Sequence, residues 1–499
     1  MPYWSKKNGK KSYHNNKTFG ISKFHMKSSP FLRFYTRTFQ VVARIQPWVT
    51  EKASLPFMLI LAVYLFIPSC VPLAQQGTTS TASGEAYYLD KTMRTSDYVY
   101  EEGIKTVLLY PQVAQGADPA AAMLQPPVLP IVQSVPLLLE FDEMGNTFKN
   151  YRAKLFHCNA DWSVSLLTDI DFVDQINDFL FNQPQLSFNT KVPYVHYTFE
   201  VPKVKLPGNY VLMVYREGNV KDIILTKRFI VYENRVQVAA TVVPSTGVQE
   251  RNRNQQINFQ VLYRDYPLTN PRETVKVSIR QNYKWNNAIT SLLPLSVRED
   301  QATLEYNYFN LENNFAGGNE YRFFDMRSIR FLGMNMAKIN PAPDSTTVLI
   351  VPDKSRAKEA YSQMVDINGQ FAVDNYETGR GATEADYVNV EFTLQSPERA
   401  PGNVHLWGAF MNWNPTSISQ MRYDAASQSY KGNYLLKQGL YNYVYALEPA
   451  QGGAINETYF EGSHFETENF YEIIIYYRPL ASRADLVIGY TLLKHNSRR

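Results

Sequence analysis

Apolar and polar residues alternate with a period of two through much of the chain beyond residue 100. The pattern is cleanest in Tyr194-Val195-His196-Tyr197-Thr198-Phe199-Glu200-Val201. There Val195, Tyr197, Phe199 and Val201 share one face, and His196, Thr198 and Glu200 share the other. Residues 104–110, 135–142, 210–215 and 223–232 read as further strands, with a turn at Pro207-Gly208-Asn209. Short strands separated by turn residues predict an antiparallel sandwich. One helical turn is expected near residues 166–179, where the apolar spacing loosens.

The same reading divides the chain. Residues 98–234 form a first sandwich that ends at the junction Glu233-Asn234-Arg235. Strands at 238–243, 256–263, 275–281 and 346–351 predict a middle β-domain over 235–352. Residues 353–388, polar and irregular with Gly379-Arg380-Gly381, read as a linker or insertion. A third sandwich is expected over 389–499. The expected fold class is all-β, with several antiparallel immunoglobulin-like or early-set-like sandwiches in tandem. The 35 Tyr and 28 Phe suit sheets.

Charge changes the picture at the N-terminus. The chain is formally +4, but residues 1–52 carry eleven Lys/Arg and one acid, Glu51. The remainder holds 39 basic and 45 acidic residues, so a general basic surface for nucleic acid is not expected. Residues 53–84 carry no charge and contain the compact apolar run 55–67. Basic residues followed by so short a run predict a secretory signal over 53–74, since a membrane span needs about 20 apolar residues. The run ends Ile67-Pro68-Ser69-Cys70, which is similar to a bacterial lipobox and makes Cys70 the candidate lipidation site. Cleavage near Ala74 and an uncleaved anchor are the alternatives. Fifty residues are too many for an n-region, so residues 1–52 are expected to lie outside the mature fold. Residues 75–97 read as a tether.

Candidate chemistry is sparse. Two cysteines permit neither a disulfide framework nor a Cys-rich zinc site, and Cys158 is expected to be a buried small hydrophobe. His157 and Cys158 are consecutive in a strand and point to opposite faces, so they cannot act as base and nucleophile. The run His157–Trp162 is expected to lead into a turn, with Trp162 inward and Asp161 bonding backbone amides. Val404-His405-Leu406-Trp407-Gly408-Ala409-Phe410-Met411-Asn412-Trp413 resembles the aromatic hairpin of glycogen-binding and early-set sandwiches. Its aromatics are expected to build core, and sugar stacking is the alternative. Arg322 and Asp325 are expected to pair across a sheet. Residues 461–469 are expected to form a solvated turn. No catalytic set, metal site or cofactor site assembles, and the expected protein is not an enzyme.

Gly103-Ile104-Lys105-Thr106-Val107, His157-Cys158-Asn159-Ala160-Asp161-Trp162, Pro207-Gly208-Asn209-Tyr210, Gln281-Asn282-Tyr283-Lys284-Trp285-Asn286-Asn287 and Glu461-Gly462-Ser463-His464-Phe465-Glu466 occur in this order. Together they resemble the type IX secretion system plug protein family of Bacteroidetes, over about residues 95–495. The resemblance implies a periplasmic translocon subunit that binds and occludes the periplasmic mouth of a giant outer-membrane β-barrel, without turnover. It implies no nucleic acid and no small-molecule substrate. The alternative function is a glycan-binding lipoprotein. Partner-binding residues are expected in two loops: Asp161, Trp162, Ser163 and Ser165, and Asn282, Tyr283, Trp285 and Asn287.

Overall fold

The computed structural model describes residues 91–112, 118–181 and 183–497. The signal-like run, Cys70 and most of the tether lie outside the described residues. Every sheet belongs to one of three sandwiches, as the alternation predicts.

The first sandwich packs two sheets. One orders Tyr98–Val99, Ile223–Tyr232, Gly208–Arg216, Tyr151–Cys158 and Phe179–Leu180, and Val128–Pro130 joins Ile223–Tyr232 in parallel. The other orders Ile104–Pro111, Leu137–Met144, Tyr194–Val201 and Gln185–Leu186. Val195, Tyr197, Phe199 and Val201 enter the core between them, where Phe141 stacks on Tyr197 at 5.0 Å. Burial of each such side chain contributes roughly 1.5–3 kcal/mol. Of the expected turn at 207–209, Gly208 and Asn209 are already strand. Gly208 lies against the His157 ring of the neighbouring strand, and a Cβ there would overlap the imidazole. The expected helical turn is Asp169–Phe172.

The other two sandwiches are not in tandem. The central one joins Gln237–Pro244, Asn254–Leu262, Thr303–Tyr306, Ser296–Arg298 and Asn314–Ala316 to a second sheet. That second sheet orders Ile289–Leu292, Val275–Gln281, Asn469–Tyr477 and Leu486–His495. Residues 469–495, expected in the third unit, therefore complete the central one. Val275 pairs with Tyr477 and Gln281 with Tyr471. Conversely, Arg322–Asp325, Met336–Pro341 and Thr346–Ile350, expected in the middle domain, belong to the third sandwich. The expected linker contributes too: Phe371–Val373 pairs with Gly439–Pro449. The third sandwich is thus inserted into the central one between Ala316 and Asn469. Alternation identifies a strand but not its partner, which is why the boundary moved.

The faces that the pattern marks as polar in the first sandwich are covered by its neighbours. In Gly208–Arg216 all positions but Arg216 are buried, which strands achieve only with both faces covered. Ala160 and Ile230 pack with Ile474, Tyr476 and Val487 of the central sandwich. Leu108, Tyr110 and Ala122 join the core of the inserted one. Lys284 of the central sandwich bonds Glu457 at 2.6 Å and Tyr321 at 3.3 Å in the inserted segment.

Candidate interaction surface

Strand Tyr151–Cys158 ends in a tight turn. Asn159 N–H donates to the Ser163 carbonyl at 2.8 Å, and Asp161 accepts from the Ser163 amide at 3.0 Å and hydroxyl at 2.6 Å. Trp162 adopts φ 65°, and its indole is buried. Its ring meets Trp285 edge-on at 4.9 Å and 84°. The Arg228 guanidinium lies 5.2 Å from both ring centroids, and Arg280 lies 4.7 Å over Trp285. Arg280 in turn donates to Glu472 at 2.7 Å. Burial pulls the Arg228 group below its ordinary value, opposed by the Asp97 carboxylate.

The two sequence-predicted loops therefore meet, although 120 residues separate them. Their side chains differ in what they can reach. Trp162, Ser165 and Asn282 are buried, Tyr283, Trp285 and Asn287 are half-buried, and Asp161 and Ser163 are exposed. Asn282 bonds Asn469 at 2.7 Å and accepts from Phe470 N–H at 2.8 Å, while Asn287 donates to Gln281 at 3.0 Å. Tyr283 leans on Phe470 with ring centroids 6.1 Å apart. Ser165 Oγ lies 3.1 Å from His157 Nδ1, and burial pushes that imidazole down to about 4, which keeps it neutral. These contacts fix each loop within its own sandwich, and the contacts of Trp285 with Trp162 and Arg228 join the first sandwich to the central one.

The free surface begins where the joint ends. Residues 161–180 contain five Asp and no Lys, Arg or His. Leu166, Ile170 and Ile176 are 78%, 78% and 86% exposed, and Val164 and Leu180 are also exposed. The segment is held firmly. Thr168 and Asp171 form a capping box, and Phe172 and Val173 anchor in the core. Asn177 bonds both the amide and carbonyl of Leu155, at 2.9 and 2.8 Å, as a strand neighbour would. Arg483 binds Asp171 at 2.7 Å, and Leu480 nearby in sequence is exposed. Sequence reading missed Leu166, Ile170 and Ile176. The available signal was apolar residues set beside aspartates where strand alternation stops.

The groupings that invite a chemical reading are built into the core. Ser419 Oγ lies 2.9 Å from His405 Nδ1, and His405 Nε2 lies 3.2 Å from Glu448. The order resembles a hydrolase triad, but Ser419 is fully buried and its hydroxyl is held by the Asn414 and Thr416 carbonyls. A substrate carbonyl has no approach to it. Trp407 is also fully buried and packs with Trp413, Tyr321 and Val444, so its ring offers no sugar platform. Cys158 is buried, and desolvation pushes its thiol up to about 12. Among the described residues no group of His, Cys, Asp and Glu could hold a metal.

Two sequence expectations fail here. Arg322 pairs not with Asp325 but with Glu461 at 3.0 Å and Asp353 at 2.7 Å, while Asp325 takes Arg327 at 2.6 Å. Glu461 is buried rather than solvated because Arg322 and Arg356 enclose it. Although burial opposes ionisation, the two guanidinium groups hold its carboxyl below the usual range.

Comparison with known proteins supports the resemblance read from sequence. Residues 104–233 match the type 9 secretion system plug protein 1st domain. No curated protein matches the chain. The crystal structure of a hypothetical protein from Parabacteroides merdae ATCC 43184 is similar, with a TM-score of 0.75 and 29% identity. The match covers 81% of this chain and 100% of that one.

Proposed function

We propose that this chain is a non-enzymatic subunit of the type IX secretion machinery in the bacterial envelope. It binds the periplasmic mouth of the giant outer-membrane β-barrel and occludes it. The observation that carries this reading is the exposed apolar face at residues 161–180, which lies within the plug-family match at 104–233. Rigidly held apolar side chains left in water mark an interaction site. Asp169, Asp171, Asp174 and Asp178 are paired with Lys154, Arg483, Lys205 and Arg152, so the apolar side chains rather than a net charge mark the face for a partner.

Steric occlusion also needs a body that does not deform. Three sandwiches joined by buried aromatic and ionic contacts supply one. The export signal at 53–74 delivers the chain to the periplasm, and lipidation at Cys70 would tether it to the outer membrane. Deleting the gene should make the outer membrane leaky to large solutes, with restoration by the intact chain. An unchanged permeability barrier contradicts the reading.

A further inference from the structure

A second exposed apolar feature lies on the inserted sandwich and is flanked by cations. Between Arg322–Asp325 and Met336–Pro341 the chain forms a loop in which Phe331, Leu332 and Met334 are 74%, 59% and 60% exposed. Residues 327–338 contain Arg327, Arg330 and Lys338 and no acid. Arg327 is neutralised by Asp325, whereas Arg330 and Lys338 are exposed and make no ion pair among the described residues. Tyr376, also exposed, lies at the base of the loop, with the Arg327 guanidinium 4.1 Å from its ring centroid.

The loop is built to hold this shape. Asp325 N–H donates to the Met334 carbonyl at 3.1 Å, and Asn335 Nδ2 donates to the Phe323 carbonyl at 2.7 Å. The amides of Arg330 and Phe331 donate to Ser328 Oγ at 3.2 and 3.3 Å, and that hydroxyl donates to Glu377. Gly333 passes so close to the Asp325 carbonyl that a Cβ would overlap it. The backbone returns to the sheet at Gly333, and the three apolar side chains on either side of it stay in solvent.

We propose that this loop seats the protein on an anionic lipid surface. Bulky apolar residues at the tip of a rigid loop bury their side chains at the boundary between headgroups and acyl chains. Flanking cations then meet lipid phosphates, and a tyrosine suits the interface. An anchor on an N-terminal tether would leave the body free to turn, and a contact of this kind would fix its orientation on the membrane. The inference does not depend on the barrel reading, because it concerns a different sandwich and a different set of residues.

The test places an environment-sensitive fluorophore at Leu332→Cys in a full chain carrying Cys70→Ser. Cys158 stays unlabelled because it is buried with a raised pKa. The control label is Ala425→Cys, an exposed position in the turn before Ser429–Lys437, at the far end of that strand from the loop. Phosphatidylglycerol vesicles carrying a lipid quencher should extinguish the label at 332 and leave the label at 425 bright. Arg330→Glu with Lys338→Glu should restore emission at 332. A bright label at 332, equal quenching at 425, or equal quenching by phosphatidylcholine vesicles overturns the proposal.

Discussion

Lys437 Nζ lies 2.6 Å from Asp142 Oδ2, and each side chain is 1% exposed. The lysine comes from the inserted sandwich and the aspartate from the first, so a buried ion pair bolts the two together. Asp142 also accepts from Tyr387 at 2.7 Å and faces His196 Nδ1 at 2.7 Å. Removing the aspartate leaves the Lys437 ammonium buried without its carboxylate, whereas Asp142 without the lysine would still face the His196 cation. Asp142→Asn should therefore destabilise the protein by about 3–5 kcal/mol in chemical unfolding. A cost near zero would mean that the pair is solvated or that the two sandwiches part easily.

The same cluster makes stability depend on pH. Burial disfavours the His196 cation, but hydrogen bonding to Asp142 and the nearby Glu140 carboxylate outweigh it and raise the group to about 9. At 3.6 Å Glu140 acts by charge rather than by a hydrogen bond. A pKa above the unfolded value of about 6.5 contributes stability that is complete below pH 6.5 and is lost as pH rises through about 9. The loss is roughly 3 kcal/mol, and His196→Gln should flatten it. Melting curves across that window check both statements.

Trp162 and Trp285 should be energetically coupled. A double-mutant cycle to Ala is expected to give about 0.5–1.5 kcal/mol of interaction beyond the single losses. Independent effects would mean that the indoles do not carry the joint.

Trp407→Ala should cost about 3–5 kcal/mol through the cavity it leaves. The intact protein should bind no glycan through that ring. Glycan binding abolished by this substitution in a protein of unchanged stability would instead support the sugar-platform alternative.

Much of this was legible in the sequence. Strand alternation predicted the inward set Val195, Tyr197, Phe199 and Val201, and the turn chemistry of Asp161 predicted that Trp162 would face inward. What stayed hidden depends on distant segments. His196 and Met213 are buried because other parts of the chain cover their faces. Glu461 is buried because Arg322 and Arg356, more than 100 residues away, neutralise it. The last two strands return to a sheet begun at Val275, and no local pattern encodes that closure. The apolar face at 164–180 was hidden for a different reason: exposure is a property of what fails to cover a residue.

Binding to the barrel should depend on that face. The direct measurement is a mild-detergent pull-down of the C-terminally tagged chain from cells, beside the variant Leu166→Asp with Ile176→Asp. Both positions are exposed, so the variant should keep its stability within about 0.5 kcal/mol. A giant outer-membrane barrel recovered at comparable stoichiometry with the wild type, and lost with the folded variant, is the predicted result. Recovery of the bait alone, or of the barrel equally with both proteins, would contradict the account.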